Sequence, residues 1–173
     1  MKILKKVLIG VIAILGLVII LSLGLDKNKE ASIVSLEDYS KRVEQALDEM
    51  KDSKLSYHSV TKANDDNSIA LTDSGNIAIF IKENNKEYSL AMTSLEAINL
   101  GEESFNNALR LLIGTVDDSL KMADRQNILN DLQISYNNLK DEDFVSKTVR
   151  KNNISYSFIY SAKEEVMKLE ARK

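Results

Sequence analysis

The chain has 173 residues, a net charge of −3 and no cysteine. The missing cysteine excludes disulfides, thiolate metal sites, thiol catalysis and a lipid-modified cysteine. The mild acidity, with no basic stripe, argues against a nucleic-acid partner, because phosphates require clustered Lys and Arg.

An uncharged run from Val7 to Leu25 dominates the start of the chain, and Ser22 is its only polar side chain. A helix of that length reaches about 28 Å, close to the ~30 Å hydrocarbon thickness of a bilayer. The run therefore predicts one membrane-spanning helix. Its large aliphatic residues form the expected membrane anchor: Val7, Leu8, Ile9, Ile12, Ile14, Leu15, Leu17, Val18, Ile19, Ile20 and Leu21.

Three lysines, Lys2, Lys5 and Lys6, precede the run. The positive-inside tendency predicts that they stay in the cytoplasm and that the domain lies outside the cell membrane. The alternative is a cleaved signal peptide, with cleavage near Gly24 and release of a secreted protein. The run exceeds the roughly 7–15 residues of a signal-peptide apolar region, which favours a retained anchor.

These features divide the chain into a basic head (1–6), a transmembrane helix or signal anchor (7–25), a polar tether (26–34) and one extracytoplasmic domain (35–173). A domain of that length can bury a core of its own.

The domain opens with a predicted helix. Ser35 is a suitable N-cap, with Asp38 three positions later in the capping-box position. We expect this helix to lie on its own sheet, and a coiled-coil stalk is the alternative, for which two heptads are too few. Its apolar face is formed by Leu36, Tyr39, Val43, Leu47 and Met50.

Four short strands are predicted next, at 55–62, 68–72, 77–82 and 88–92, with polar turn residues between them. Such short connections cannot cross over to make parallel pairs, so the four strands form an antiparallel meander.

Two helices with apolar faces are predicted at 102–116 and 123–132. The preceding segment, 95–100, is ambiguous, and Gly101 ends it.

A hairpin is predicted at 144–151 and 154–161, around Asn152-Asn153. The tail from 164 to 172 fits a strand or a helix, and the short path back from the hairpin favours the strand. The sequence therefore predicts an α+β fold in the order α-ββββ-αα-ββ(β), with one antiparallel sheet covered by helices on one face.

Three aromatic residues, Tyr156, Phe158 and Tyr160, share one face of the second hairpin strand. That face is a candidate ligand surface, able to stack on a sugar or a peptide. The alternative is that the rings belong to the core, which is the commoner role of alternating aromatic residues.

His58 is the only histidine. One interpretation is a general base or a pH-sensing group. We expect instead a half-exposed strand residue, without the partners of a serine triad or a multi-histidine metal site.

The acidic runs, such as 141–143, do not fit the calcium-loop template, and no phosphate-binding loop or GxSxG motif occurs. We expect no metal, no cofactor and no enzymatic activity.

In layout and composition, the whole chain resembles small membrane-anchored exported proteins of low-GC Gram-positive bacteria that carry no assigned function. The resemblance rests on no specific motif and implies no site residue. The expected function is a membrane-anchored binding or accessory module of the cell envelope, whose partner is another envelope protein or a surface ligand. The alternatives are a carboxylate-based envelope hydrolase and a structural subunit of a membrane complex, held by its anchor.

Overall fold

The computed structural model describes residues 35–63, 66–82, 86–137 and 144–173. The predicted basic head, transmembrane helix and tether, 1–34, lie outside these residues. Within the described ranges, no helix combines the length and the apolar character needed to cross a bilayer.

Helices and strands follow one another in the described chain in the order α-ββββ-αα-βββ, which confirms the predicted α+β fold. The tail is a strand. The elements are α1 (Leu36–Met50), β1 (Ser59–Ala63), β2 (Asp66–Ala70), β3 (Ile77–Lys82), β4 (Glu87–Thr93), α2 (Ser94–Val116), α3 (Met122–Asp131), β5 (Phe144–Lys151), β6 (Ile154–Ser161) and β7 (Val166–Arg172).

All seven strands belong to one antiparallel sheet, in the order β1-β2-β3-β4-β7-β6-β5. The last strand of the chain, β7, lies between β4 and β6 and pairs with both. It therefore joins the N-terminal meander to the C-terminal hairpin. Among the described strands, β1 and β5 lie at the two edges of the sheet.

One face of the sheet carries the core. The register aligns Ile69, Ile79, Leu90, Leu169 and Phe158 in one row across five strands. All five side chains are fully buried in one cluster with the apolar faces of the three helices. Burying each such side chain contributes roughly 1.5–3 kcal/mol, so this layer is the main source of stability.

Helix α1 begins as its sequence predicts. Ser35 Oγ accepts a hydrogen bond from the Asp38 backbone N–H at 3.1 Å. Further along, the Tyr39 ring lies 4.8 Å from the Tyr88 ring of β4, and its hydroxyl is 2.9 Å from Thr115 Oγ1 of α2. These contacts place α1 on its own sheet and against α2.

Helix α2 contains a break at Gly101, whose backbone has φ 75° and ψ 168°. The ambiguous segment 95–100 is thus helical, and Gly101 ends it as predicted. Lys54 Nζ donates to the free carbonyls of Asn99 and Leu100 there, at 3.0 and 2.7 Å. Such donors satisfy carbonyl groups that a helix end leaves without partners.

The first two strands are shifted from their predicted bounds. Strand β1 begins at Ser59 instead of 55, and β2 ends at Ala70 instead of 72. The cause is the turn between β2 and β3, where the Leu71 N–H already donates to Ile77 O at 2.9 Å. Ser56 and His58 still donate backbone hydrogen bonds to this segment, at 3.0 and 3.1 Å, so the chain there is extended without forming a regular ladder.

Candidate functional site

Three polar side chains meet at the start of β1. His58 Nε2 lies 2.6 Å from Ser56 Oγ, and His58 Nδ1 lies 2.9 Å from Asp73 Oδ1. With the proton on Nδ1, the neutral ring donates to Asp73 and accepts the hydroxyl proton of Ser56. This is the order of contacts in a serine triad.

The expectation that His58 lacks triad partners is therefore wrong. Ser56 is two residues before His58 in extended chain, so both side chains point to the same side. Asp73 comes from the connection between β2 and β3, which the pairing of β1 with β2 brings beside them. The alternation of Ser56 and His58 was readable in the sequence, whereas the approach of Asp73 depends on the strand register.

Exposure to solvent weakens the interactions within the Ser56–His58–Asp73 cluster. The Asp73 side chain is 96% exposed, and Ser56 is exposed as well. An exposed carboxylate orients a histidine weakly, because water screens their interaction. A shallow groove of about 340 Å³ runs beside Ser56 and is lined by charged residues of α1 and the following loop, including Glu44, Asp48 and Lys51.

The three aromatic residues of the predicted ligand surface are buried. Tyr156 and Phe158 are 0% exposed and Tyr160 is 6% exposed, under the helical layer. Burial raises the pKa of the Tyr156 hydroxyl. These rings are therefore part of the core, which was the alternative interpretation of their alternation, and they do not form an exposed ligand surface.

The opposite face of the sheet, called here the open face, carries no described helix. On β2, β3 and β4 its side chains are mainly Ser and Ala, and the half-exposed ring of Phe80 lies between Ser68 and Ser89 in one row. Across β4 and β7, Arg172 joins Glu87 at 3.1 Å and Glu170 at 3.2 Å, and Lys168 pairs with Glu170. On β4 and β7 the open face is therefore polar, and its charged side chains are paired with one another.

The edge strand β5 differs from the rest of this surface. Its sequence FVSKTVRK contains Lys147, Arg150 and Lys151 and no acidic residue. These three cations are exposed, and no carboxylate in the described ranges pairs with any of them. Among the described strands, β5 pairs with β6 alone, on its inner side.

Exposed apolar side chains gather at one end of the open face. Phe144 begins β5 and is 62% exposed, and Val166 begins β7 and is 42% exposed. Ser161 lies between them in the same row, because it pairs with both residues. The end of the sheet where β5 begins thus combines a free edge with an exposed aromatic ring.

No family model, curated protein or solved structure matches this chain. Among the described residues, no three His, Asp or Glu side chains gather in a way that would hold a metal ion.

Two sites thus emerge, and of their residues the sequence alone indicates only His58 as a candidate. The first is the Ser56–His58–Asp73 cluster, whose geometry fits proton transfer from a hydroxyl. The second is the β5 edge, whose backbone, cations and exposed Phe144 fit recognition of another chain. The composition of β5, three cations and no anion, was visible in the sequence, but its place at the edge of the sheet was not.

Proposed function

We propose that the chain is a membrane-anchored binding module of the bacterial cell envelope. Residues 7–25 span the membrane, residues 1–6 remain in the cytoplasm, and the domain works outside the cell, as an accessory protein that contacts another envelope component. The anchor keeps the domain attached to the membrane, and the domain performs no catalysis of its own.

The uncovered side of the sheet is the observation that carries this proposal. Helices cover one face, whereas the open face and the β5 edge are left without a covering element in the described ranges. Exposed aromatic rings are enriched at protein interfaces, and Phe80 and Phe144 are both exposed on this side. A partner therefore finds apolar anchors and polar groups on the same surface.

Photo-crosslinking from three matched positions tests the proposal. The aromatic crosslinker p-benzoylphenylalanine replaces Phe80, Phe144 or Met122, one at a time, in the full chain in its own cells. Met122 is 54% exposed at the start of α3, on the helical layer, and serves as the control. A binding module yields a crosslinked protein from Phe80 or Phe144 and none from Met122. Absence of products from both sheet positions contradicts the proposal.

Replacing the predicted anchor separates this proposal from that of a structural subunit. An unrelated spanning helix in place of 7–25 leaves the crosslinks of a binding module unchanged. A subunit held by its own membrane helix loses its partner under the same replacement.

The Ser56–His58–Asp73 cluster favours a second candidate function, an envelope hydrolase. In such an enzyme Ser56 Oγ attacks a carbonyl carbon, and His58 takes the hydroxyl proton and returns it to the leaving group, while Asp73 orients the ring. A water molecule then releases the acyl group from Ser56. It ranks second because Asp73 is almost fully exposed, which weakens its hold on the ring.

A fluorophosphonate probe, which reacts with activated serines, tests this candidate. A hydrolase is labelled at Ser56, and Ser56→Ala or Asp73→Asn abolishes or reduces the labelling. Ser59→Ala, a change at an exposed serine nearby, leaves it unchanged. A chain that is not labelled at Ser56 is not a hydrolase of this kind.

A further inference from the structure

We infer that the β5 edge binds an extended, acidic segment of a partner protein, which adds to the sheet as an eighth strand. This inference rests on the proposed binding function and names the surface and the chemistry of the partner. Strand addition is a recurrent mode of peptide recognition, in which backbone hydrogen bonds supply affinity and side chains supply specificity.

The hairpin register identifies the backbone groups that are available. Asn152 and Asn153 both have positive φ, 50° and 62°, as a two-residue type I′ turn requires. Such a turn makes Lys151 and Ile154 the first hydrogen-bonded pair, and the pattern then alternates along the strands. The residues of β5 whose N–H and C=O groups point away from β6 are therefore Phe144, Ser146, Thr148 and Arg150.

The length of this edge suits a second strand. β5 has eight residues, which is longer than the mean strand of about five or six. The other edge strand, β1, has five residues. An added strand along β5 would form a complete ladder, and its end would meet the exposed ring of Phe144.

The positive charges of β5 favour binding of an acidic segment. The side chain of Arg150 belongs to the open face, whereas Lys147 and Lys151 belong to the helical side, so cations flank the edge on both faces. A strand with acidic side chains on both of its faces would pair with them. The net charge of the protein is negative, and the acidic run 141–143 directly precedes β5 in the sequence. The cations of β5 begin four residues after that run, and charges more than about 8 Å apart are largely screened at physiological ionic strength, so the cations set the charge along the rest of the edge.

The same cations disfavour a second copy of this chain as the occupant. Antiparallel pairing of β5 with another β5 would gather the Lys147, Arg150 and Lys151 of both chains in one two-stranded ribbon, with no anion in either strand. Like charges across a strand pair are destabilising. Lysines on a free edge are also a device against edge-to-edge association.

A proline substitution tests the backbone part of the inference. Thr148→Pro removes an outward N–H without removing a hydrogen bond to β6, because Thr148 belongs to a pair that is not hydrogen-bonded to that strand. Thr148→Val is the matched control, since both changes remove the hydroxyl that lies 2.9 Å from Ser157 Oγ. With p-benzoylphenylalanine at position 144, Thr148→Val keeps the crosslinked product and Thr148→Pro abolishes it.

A charge substitution tests the chemistry of the partner and does not depend on the folding of the proline variant. The segment crosslinked at position 144 is identified by mass spectrometry, synthesised as a peptide and titrated against the full chain in nanodiscs. We expect an Asp- and Glu-rich segment, bound about tenfold more weakly by the K147Q/R150Q/K151Q variant. The K62Q/K82Q/K86Q variant makes the same change of charge at exposed lysines of β1, β3 and the connection before β4, on the far side of the sheet from β5, and binds normally.

The outcomes separate the two proposals. Position 80 lies four strands from β5, about 19 Å away at the usual strand spacing. If crosslinks form from position 80 and none form from position 144, the chain is a binding module, but its partner does not bind at the β5 edge. Three other results would also contradict binding at the β5 edge. The segment crosslinked at position 144 could be basic, it could come from a second copy of this chain, or the Thr148→Pro variant could fold and still form the crosslink. No crosslink from either position overturns both.

Discussion

The Asn152 side chain in the β5–β6 turn donates a hydrogen bond to Asp117 Oδ2 at the end of α2, over 2.9 Å. Asp117 is only 6% exposed, and its other oxygen accepts from the Ser119 N–H and hydroxyl at 3.1 and 2.6 Å. A buried carboxylate needs such partners, because removing one leaves the desolvation cost unbalanced. This hydrogen bond links the β5–β6 hairpin to the helical layer.

We expect Asn152→Gly to lower the free energy of unfolding by about 1–2 kcal/mol, since glycine accepts the positive φ but cannot reach Asp117. Asn153→Gly is the matched control: Asn153 has a similar φ, and glycine is favoured at that turn position. Urea unfolding of the full chain measures both. Equal losses for the two variants would show that the Asp117 contact contributes nothing.

Two buried tyrosines should respond in opposite ways to removal of their hydroxyls. Tyr39 Oη is 2.9 Å from Thr115 Oγ1, so Tyr39→Phe should cost about 1 kcal/mol. Tyr156 Oη is buried with no hydrogen-bond partner in the described ranges, so Tyr156→Phe should be neutral or stabilising. Thermal unfolding of the two variants gives the comparison, and a larger loss for Tyr156→Phe would contradict it.

Asp52 gives the stability a defined dependence on pH. Its partial burial raises the pKa, but hydrogen bonds from Asn107 Nδ2, the Lys54 N–H and Ser104 Oγ outweigh that effect and hold the pKa below the usual 3.8. A carboxyl with a lowered pKa stabilises the fold fully above its unfolded pKa and loses this contribution as pH falls through the folded value. The loss therefore occurs below about pH 4.

Asp52→Asn tests this assignment. The variant should be less stable than the original chain at about pH 6, and the difference should shrink as pH falls from about 4 toward 2.5. Urea unfolding across this range measures it. A difference that is constant with pH would show that the ionisation of Asp52 does not contribute to stability.

Gly101 has a backbone conformation that only glycine adopts readily, with φ 75° and ψ 168°. Gly101→Ala should therefore cost about 1–3 kcal/mol through strain, even though, among the described residues, the added methyl group would come near just one atom, Lys54 Nζ at 3.7 Å. Chemical unfolding tests this. A cost below about 0.5 kcal/mol would mean that the break in α2 can relax.

The elements themselves could be predicted because each has a local signal. Ser35 and Asp38 mark the start of α1, and Asn152-Asn153 mark the β5–β6 turn, where the predicted and observed strand bounds agree. Alternation indicates which residues share a face of a strand, but it carries no information about which strand lies alongside. The insertion of β7 between β4 and β6 therefore required the structure.

The candidate sites also depend on contacts that local sequence patterns do not predict. Ser56 and His58 alternate in the sequence, but their contact with Asp73 depends on the turn that follows β2. The cations of β5 are visible in the sequence, but only the strand order places them on a free edge. For Tyr156, Phe158 and Tyr160, alternation predicted a shared face without deciding whether helices cover it.

The intact mass of the protein, taken from both the membrane fraction and the medium of its own cells, tests the central claim most directly. A membrane-anchored module gives the full-length mass in the membrane fraction and none in the medium. A shorter mass that begins near Leu25, found in the medium, would contradict the account and indicate a secreted protein whose partners are soluble.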